Sequence, residues 1–138
     1  MGKWNGSIMN DMPNGRGVMD YNLEPGGPIT SKTYDGDWGL YEIEDQDKIA
    51  KTKTDHGPHG VGTMTTEEKS NNTVVIFKGD WKCGQYDGYG LLSIANSSEK
   101  IDYHGDWVKG VKNGPGVFRK GRYSKGLHPD QMNYNPSY

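Results

Sequence analysis

The sequence predicts an all-β protein that folds as a single elongated antiparallel sheet, a solenoid-like array of about four β-hairpins. Three observations predict this fold. Aromatic residues and glycines alternate as they would along a strand, the same spacing recurs down the chain, and no stretch has the period of an amphipathic helix. The 138 residues include 21 Gly, 9 Tyr, 4 Trp and 2 Phe, but only 31% are hydrophobic. A thick two-layer core is therefore not expected, and the rings and glycines must supply the contacts.

The repeated unit is clearest in FKGDWKCGQYDGYG, residues 77–90. With Phe77 as position 0, aromatic residues occupy positions 0 and +4, and glycines occupy +2, +7, +11 and +13. The same offsets start at Tyr103, and at Trp4 with Ile at +4 and Asp at +7. They also start at Tyr34, where the register breaks after +4 and resumes fifteen residues late. Four units are therefore predicted, beginning near residues 4, 34, 77 and 103.

Each unit is expected to form one β-hairpin. Alternate residues of a strand face the same way, so positions 0, +2 and +4 share a face, and the glycine leaves a notch where a neighbouring ring can lie. On the second strand, the +15 residues are apolar (Met19, Met64, Leu92, Phe118) and the +16 residues polar (Asp20, Thr65, Ser93, Arg119), as in a half-buried strand. The predicted repeat core comprises Trp4, Gly6, Tyr34, Gly36, Trp38, Phe77, Gly79, Trp81, Gly88, Gly90, Tyr103, Gly105, Trp107, Gly114 and Gly116.

The predicted array spans residues 1–126, and residues 127–138 form an extended C-terminal tail. The linkers EPGGP, KSNN and NSSEK have the composition of turns between hairpins. An insertion at about 43–57 interrupts the second unit, and a partial unit follows at 119–126. Because YEIE and KTKTD each alternate, we expect the insertion to lengthen its hairpin rather than break the array.

This pattern resembles the MORN repeat (membrane occupation and recognition nexus), whose consensus is close to YxGxWxxGxxxGxG. The resemblance covers about residues 4–126. The third and fourth units match every aromatic and glycine position, whereas the first departs at Ile8 and Asp11 and the second contains the insertion. Proteins with MORN repeats include cytoskeletal, ciliary and membrane-junction scaffolds. The resemblance therefore implies a hairpin array that acts as a scaffold.

The sequence offers weak signals for catalysis or cofactor binding. GxG occurs at 15–17, 60–62, 88–90 and 114–116, but each lacks the third glycine and the following helix of a dinucleotide site. His56 and His59 lie beside Asp55, but no further ligands match, so a solvated loop is the better interpretation than a metal site. Cys83 falls in a predicted turn and is interpreted as an incidental thiol rather than a reactive one. We expect no catalytic, cofactor or metal site.

The acidic residues beside tryptophan are predicted to be structural. Asp37, Asp80 and Asp106 occupy the same repeat position on the face opposite the rings, which favours a repeated solvated role over paired catalytic acids.

Charge is unevenly distributed, although the net charge is only −2. Residues 35–47 hold six acids and no base, and residues 109–125 hold six bases and no acid. Two solvated faces are the simpler interpretation, and two docking surfaces of opposite sign are the functional one. The candidate partner or lipid surface comprises Lys109, Lys112, Arg119, Lys120, Arg122 and Lys125. No nucleic acid or small-molecule substrate is expected.

Three functional hypotheses follow. The first is a non-catalytic scaffold subunit that binds proteins through the sheet, its edges and its tail, with Tyr134 and Tyr138 as candidate tail anchors. The second is peripheral binding to anionic lipids through segment 109–125. The third is an enzyme or its regulatory arm, because MORN arrays accompany lipid kinases and lysine methyltransferases, but this chain has no room for such a domain. No apolar secretory signal is visible at the N-terminus, so we expect an intracellular, cytoplasmic protein, with the cytoskeleton and the cilium as candidate locations.

Overall fold

The computed structural model describes residues 2–44, 52–122 and 134–136. In this part of the chain, nine strands form one antiparallel sheet in which each strand pairs with its neighbours in sequence. The strands are β1 (Gly2–Met9), β2 (Met12–Tyr21), β3 (Ile29–Glu44), β4 (Thr52–Glu68), β5 (Thr73–Lys82), β6 (Gln85–Ala95), β7 (Glu99–Val108), β8 (Val111–Arg122) and β9 (Tyr134–Pro136). One 3-10 turn, Ser70–Asn72, precedes β5. The predicted all-β fold with a single antiparallel sheet is confirmed.

The four predicted units correspond to the hairpins β1–β2, β3–β4, β5–β6 and β7–β8. Within and between hairpins the +2 and +13 glycines face one another, as Gly79 faces Gly62 on one side and Gly90 on the other. A line of paired glycines therefore crosses the sheet. The ninth strand exceeds the eight that the repeats predict, and it pairs with β8 from Arg119 to Gly121.

The glycines at +13 provide the notch for the ring at position 0. A Cβ atom built on Gly90 would lie 2.7 and 2.9 Å from two carbons of the Phe77 ring and closer still to a third. The equivalent atoms on Gly17, Gly62 and Gly116 would meet the rings of Trp4, Tyr34 and Tyr103. At +2 in the first three units the close neighbour is instead the backbone of the next strand, since a Cβ on Gly79 would lie 2.6 Å from the Cα of Gly90. In the fourth unit, a Cβ on Gly105 would meet the ring of Tyr103. Each ring thus lies against its partner strand only because that strand lacks a side chain there.

In the second and third units, the glycine at +11 adopts a backbone conformation with positive φ that the aspartate at +3 helps to hold. Gly60 has φ 124° and Gly88 has φ 113°, values that other residues rarely adopt. The next residue donates its N–H to the aspartate, with Val61 N to Asp37 Oδ2 at 3.0 Å and Tyr89 N to Asp80 Oδ2 at 3.1 Å. These two aspartates therefore stabilise the irregular pairing that follows each +2 glycine.

The core is a ladder of seven rings on one face, which we call the ring face. Each tryptophan at +4 contacts the position-0 ring of its own unit and that of the preceding unit. The ring centroid of Trp81 lies 5.4 Å from those of Phe77 and Tyr34, and the rings meet nearly edge-on. The centroid of Trp107 lies 5.5 Å from those of Tyr103 and Phe77, again nearly edge-on. The ladder runs Trp4, Trp38, Tyr34, Trp81, Phe77, Trp107, Tyr103. Contacts between units, rather than a second layer, therefore bury the rings.

The opposite face, which we call the outer face, is buried over one patch where the sequence predicts an exposed polar row. Ser93 is 6% exposed, and Lys100 and Asp102 are 1% and 4% exposed, with Lys100 Nζ 3.6 Å from Asp102 Oδ2. The prediction holds for the exposed Asp20 and Arg119 and is wrong for Ser93. Lys100 also belongs to β7 rather than to the linker that NSSEK suggests. Alternation identifies the face on which a residue lies, but not what packs over that face.

The insertion lengthens the second hairpin, as its alternation predicts. The pairing of β3 with β4 continues from Trp38 opposite Pro58 to Glu44 opposite Thr52. The longer hairpin also reaches the turn of the third unit, because the N–H of Gly84 donates to the carbonyl of Pro58 at 2.9 Å. Residues 45–51, between β3 and β4 in sequence, lie outside the described residues.

Candidate functional site

An open groove of about 280 Å³ crosses the ring face between the second and fourth units. Four strands and two hairpin turns supply its walls: Lys32, Met64, Thr66, Trp81, Gly84, Gln85, Tyr86 and Gly110. Lys32 faces Thr66 in the pairing of β3 with β4. Met64, Thr66, Trp81 and Tyr86 lie on the same face as the ladder, so the groove follows directly from strand alternation.

The floor of the groove is aromatic and uncharged. Tyr86 stacks on Phe77 with ring centroids 3.7 Å apart and planes 4° apart. Trp81 donates its indole N–H to the carbonyl of Gly62 at 3.0 Å, so its polar atom is already satisfied. Desolvation by burial raises the pKa of Tyr86, which keeps this phenol neutral. The floor can therefore accept an apolar side chain without leaving a charge unpaired.

The rim of the groove is polar, and its cation is Lys32. The Nζ of Lys32 lies 4.6 Å from the centre of the Tyr21 ring, so the ring holds the ammonium above the ring face. Gln85 contributes an exposed amide at the opposite side, where β6 begins directly after the turn of the third unit. An apolar floor with a cation at its rim suits an extended peptide that presents an apolar side chain and a carboxylate.

A second depression, of about 470 Å³, lies at the edge where successive hairpins are linked. Its walls are Thr30, Glu67, Glu68, Asn72, Thr73, Val74 and Ser97, and it contains no aromatic residue. Polar, solvated walls of this kind bury little apolar surface, so the ring-face groove is the better candidate for binding.

The two histidines do not lie in a solvated loop, and that prediction is wrong. Both lie in β4 and are half-buried. The indole N–H of Trp38 donates to His56 Nδ1 at 3.1 Å, and the backbone N–H of Cys83 donates to His59 Nδ1 at 3.0 Å. In both contacts the histidine accepts the hydrogen bond through Nδ1. The histidines fasten the inserted hairpin to the ladder and to the third unit, which spacing alone does not reveal.

The structure divides the predicted basic surface between two faces. Lys112 extends its Nζ over the ring of Tyr103, at 4.6 Å from the ring centre. Lys120 forms an ion pair with Glu99 at 3.1 Å. Arg119 lies on the outer face, and Lys109 is exposed in the turn between β7 and β8. The side chain of Arg122, and Lys125 as a whole, lie outside the described residues.

The predicted tail anchors fall mostly outside what the structure describes. Tyr134 begins β9, which pairs with β8, but its side chain is not described, and Tyr138 lies outside the described residues. Within the described ranges, no group of three His, Cys, Asp or Glu residues is placed to hold a metal ion. Over the same ranges, no helix is long and apolar enough to cross a membrane.

Sequence reasoning located the ring ladder but missed the groove beside it. Lys32 and Thr66 continue the alternation of the ring face outward from Tyr34 and Met64. These residues could have been found from the sequence by continuing the alternation of strand faces beyond the consensus positions of the repeat. No sequence signal shows that Gln85, at the start of β6, and Gly110, in the turn between β7 and β8, line the same groove.

Hairpins that are joined by a ladder of rings and paired through glycines define the molecule as a β-hairpin repeat protein. Residues 4–22, 77–99 and 103–125 match the family model of the MORN repeat. The chain therefore contains MORN repeats, and the earlier resemblance is confirmed. The second unit lies outside the matched segments, although its strands have the same ladder geometry.

The chain is also similar to MORN repeat-containing protein 3 of Xenopus laevis, with 37% identity over 62 residues. The matched region is 43% of this chain and 24% of that relative, so the chain spans about a quarter of the relative's length. No solved structure matches the chain.

Proposed function

We propose that the protein is a non-catalytic interaction module, a scaffold subunit that binds other proteins through the ring-face groove. The observation that supports this is the groove itself, where Trp81, Tyr86 and Met64 form an apolar floor and Lys32 lies at the rim. Aromatic residues enriched at one concave site are typical of protein interfaces. The sheet edges and the tail with Tyr134 and Tyr138 are the further contacts of this proposal.

The proposed setting is an intracellular assembly of the cytoskeleton or the cilium. Proteins with MORN repeats include scaffolds of both kinds, and the open sheet presents a long surface with few obstacles. Each unit contacts mainly its neighbours, so the array can hold several contacts at a fixed spacing.

Site-specific photocrosslinking tests the groove. Thr66 lies in the groove, and the adjacent Thr65 lies on the outer face of the same strand. A photoreactive phenylalanine analogue is placed at each position in turn, and cross-linked proteins from cells are identified by mass spectrometry. We expect a specific partner from position 66 and none from position 65. Equal capture at both positions, or capture at 65 alone, would contradict a role for the groove.

The rim cation provides a second test once a partner is known. Lys32→Glu should weaken binding, because it replaces a cation that can pair with a partner carboxylate by a like charge. Lys53→Glu, at an exposed position of the inserted hairpin, is the matched control and should bind as the unmodified protein does.

A second candidate function, binding to anionic lipids, is favoured by the tip of the β7–β8 hairpin. Val108 and Val111 are 46% and 66% exposed and flank the turn that contains Lys109, with Lys112 next in sequence. Exposed apolar residues among cations suit a membrane interface. Co-sedimentation with phosphatidylserine vesicles should then fall with salt and with Lys109→Glu. Vesicle binding that changes neither with salt concentration nor with Lys109→Glu would exclude this role for the tip.

A further inference from the structure

β1 forms an open edge of the sheet. Among the described residues it pairs with β2 on one side and with no strand on the other. Ile8 and Met9 are 67% and 56% exposed on this strand, and its one charged residue is Lys3. An edge strand with exposed apolar side chains and little charge is a template for pairing with another strand.

We propose that β1 pairs with the β1 strand of a second copy of the chain, which gives a two-fold symmetric dimer with one continuous sheet. This interface lies apart from the ring-face groove and does not depend on the proposed binding of other proteins. The argument rests on three properties of β1: its register, its backbone direction and the end of the ring ladder.

The sequence of β1 is self-complementary in one register. Antiparallel pairing centred on Gly6 sets Trp4 opposite Ile8 of the partner subunit, Asn5 opposite Ser7 and Lys3 opposite Met9. Apolar residues then face apolar residues on the ring face, and no like charges meet. Moving the centre by one residue, to Asn5 or Ser7, separates Trp4 from Ile8 in both subunits. A register centred between two adjacent residues would place the ring face of one copy beside the outer face of the other.

The backbone of β1 is oriented for this pairing. Asn10 and Asp11 have φ 51° and 60°, which makes a two-residue hairpin turn closed by Met9 opposite Met12. Because the closing pair is hydrogen-bonded, the ladder directs the N–H and C=O groups of Ile8 and of the alternate residues before it towards the free edge. Those residues are the ones that face each other in the register centred on Gly6.

The dimer would also complete the ring ladder at this end. In the third and fourth units the +4 side chain rests on the position-0 ring of the preceding unit, as Trp81 rests on Tyr34. Ile8 is the +4 residue of the first unit and no described ring occupies that place, which explains its 67% exposure. In the dimer, Trp4 of the partner subunit would lie beside it, and the partner's Ile8 would lie beside Trp4.

The far edge of the sheet is less suited to self-pairing. β8 carries Lys112, Arg119 and Lys120, and β9 already pairs with part of it. If β1 followed β8 in the register of the array, Lys3 would lie opposite Arg119, and these like charges would repel. Charge therefore favours pairing of β1 with a second β1 over pairing of β1 with β8.

Sedimentation velocity over a range of concentrations tests the choice of edge. The unmodified chain should form a dimer, and Ile8→Lys should weaken its association about tenfold or more, because it places an ammonium beside Trp4. Val117→Lys, at a 43% exposed position of β8, is the matched control and should leave the dimer unchanged. A chain that stays monomeric throughout, or a dimer lost only with Val117→Lys, would overturn the proposal.

Cysteine pairing tests the register directly in a Cys83→Ser background. Position 5 faces position 7 of the partner subunit, so a mixture of Asn5→Cys and Ser7→Cys chains should cross-link on mild oxidation. Neither variant should cross-link with itself. Self-cross-linking of either variant would show a different register, and a dimer that gives no cross-link in the mixture would show that β1 is not the interface.

Discussion

Replacing Gly90 with alanine tests whether the +13 glycines exist to admit a ring. The added methyl would lie 2.7 and 2.9 Å from two carbons of Phe77 and closer to a third. Phe77 is 1% exposed, stacks on Tyr86 at 3.7 Å, and has Trp81 and Trp107 edge-on at 5.4 and 5.5 Å. The ring therefore has no free space into which it can move.

The expected cost is about 2–4 kcal/mol of unfolding free energy. Overpacking a core costs about 1–3 kcal/mol, and complete loss of a buried phenylalanine costs about 3–5 kcal/mol. Alanine in place of glycine returns about 0.4–1 kcal/mol by restricting the unfolded chain. The net loss would be a large part of a stability of about 5–15 kcal/mol.

Urea unfolding followed by far-UV circular dichroism measures this cost in a double-mutant cycle with Phe77→Ala. Without the ring the added methyl has room, so Gly90→Ala should cost little or nothing in the Phe77→Ala background. Gly26→Ala is the control, since a Cβ there would meet nothing within 4 Å and only the backbone at φ 77° is strained, at about 1 kcal/mol. If Gly90→Ala costs less than the control, or costs the same with and without the Phe77 ring, then Gly90 is not required to make room for that ring.

Three further predictions follow from the ladder, from a buried tyrosine and from the insertion. Trp81→Ala should cost about 3–5 kcal/mol in urea unfolding and Ile8→Ala much less, since Ile8 is 67% exposed; similar costs would contradict a ladder held by contacts between units. Burial raises the pKa of Tyr21 to about 12, so the stability that this phenol contributes is complete below about pH 10 and is lost as pH rises through the folded-state pKa. Tyr21→Phe should therefore flatten the alkaline fall in stability, whereas the control Tyr89→Phe, at a 59% exposed ring, should not; equal slopes in both variants would count against burial as the cause. Replacing residues 44–52 with Asn-Gly should preserve the circular dichroism spectrum and cooperative unfolding, because it leaves Ile43 opposite Lys53 as the closing pair of a two-residue turn, beyond the Pro58 contact; loss of the fold would show that the replaced segment belongs to the core.

Much of the fold was determined by local sequence. A strand repeats every two residues, so the placement of Phe77, Gly79 and Trp81 at alternate positions could specify a face, and the recurrence of that spacing could specify the number of hairpins. The lengthened second hairpin followed from the same alternation. These features depend on neighbours within a few residues, and a sequence displays such neighbours directly.

The groove, the histidine contacts and the buried outer patch were decided by the tertiary structure alone. Lys32 and Gln85 are far apart in the chain and meet because units stack, and His59 binds Cys83 because the inserted hairpin reaches the next turn. Ser93 has the alternation of an exposed residue and is nevertheless 6% exposed. The physical reason is common to all three: alternation fixes the direction of a side chain relative to its own strand, whereas its surroundings depend on how distant segments pack.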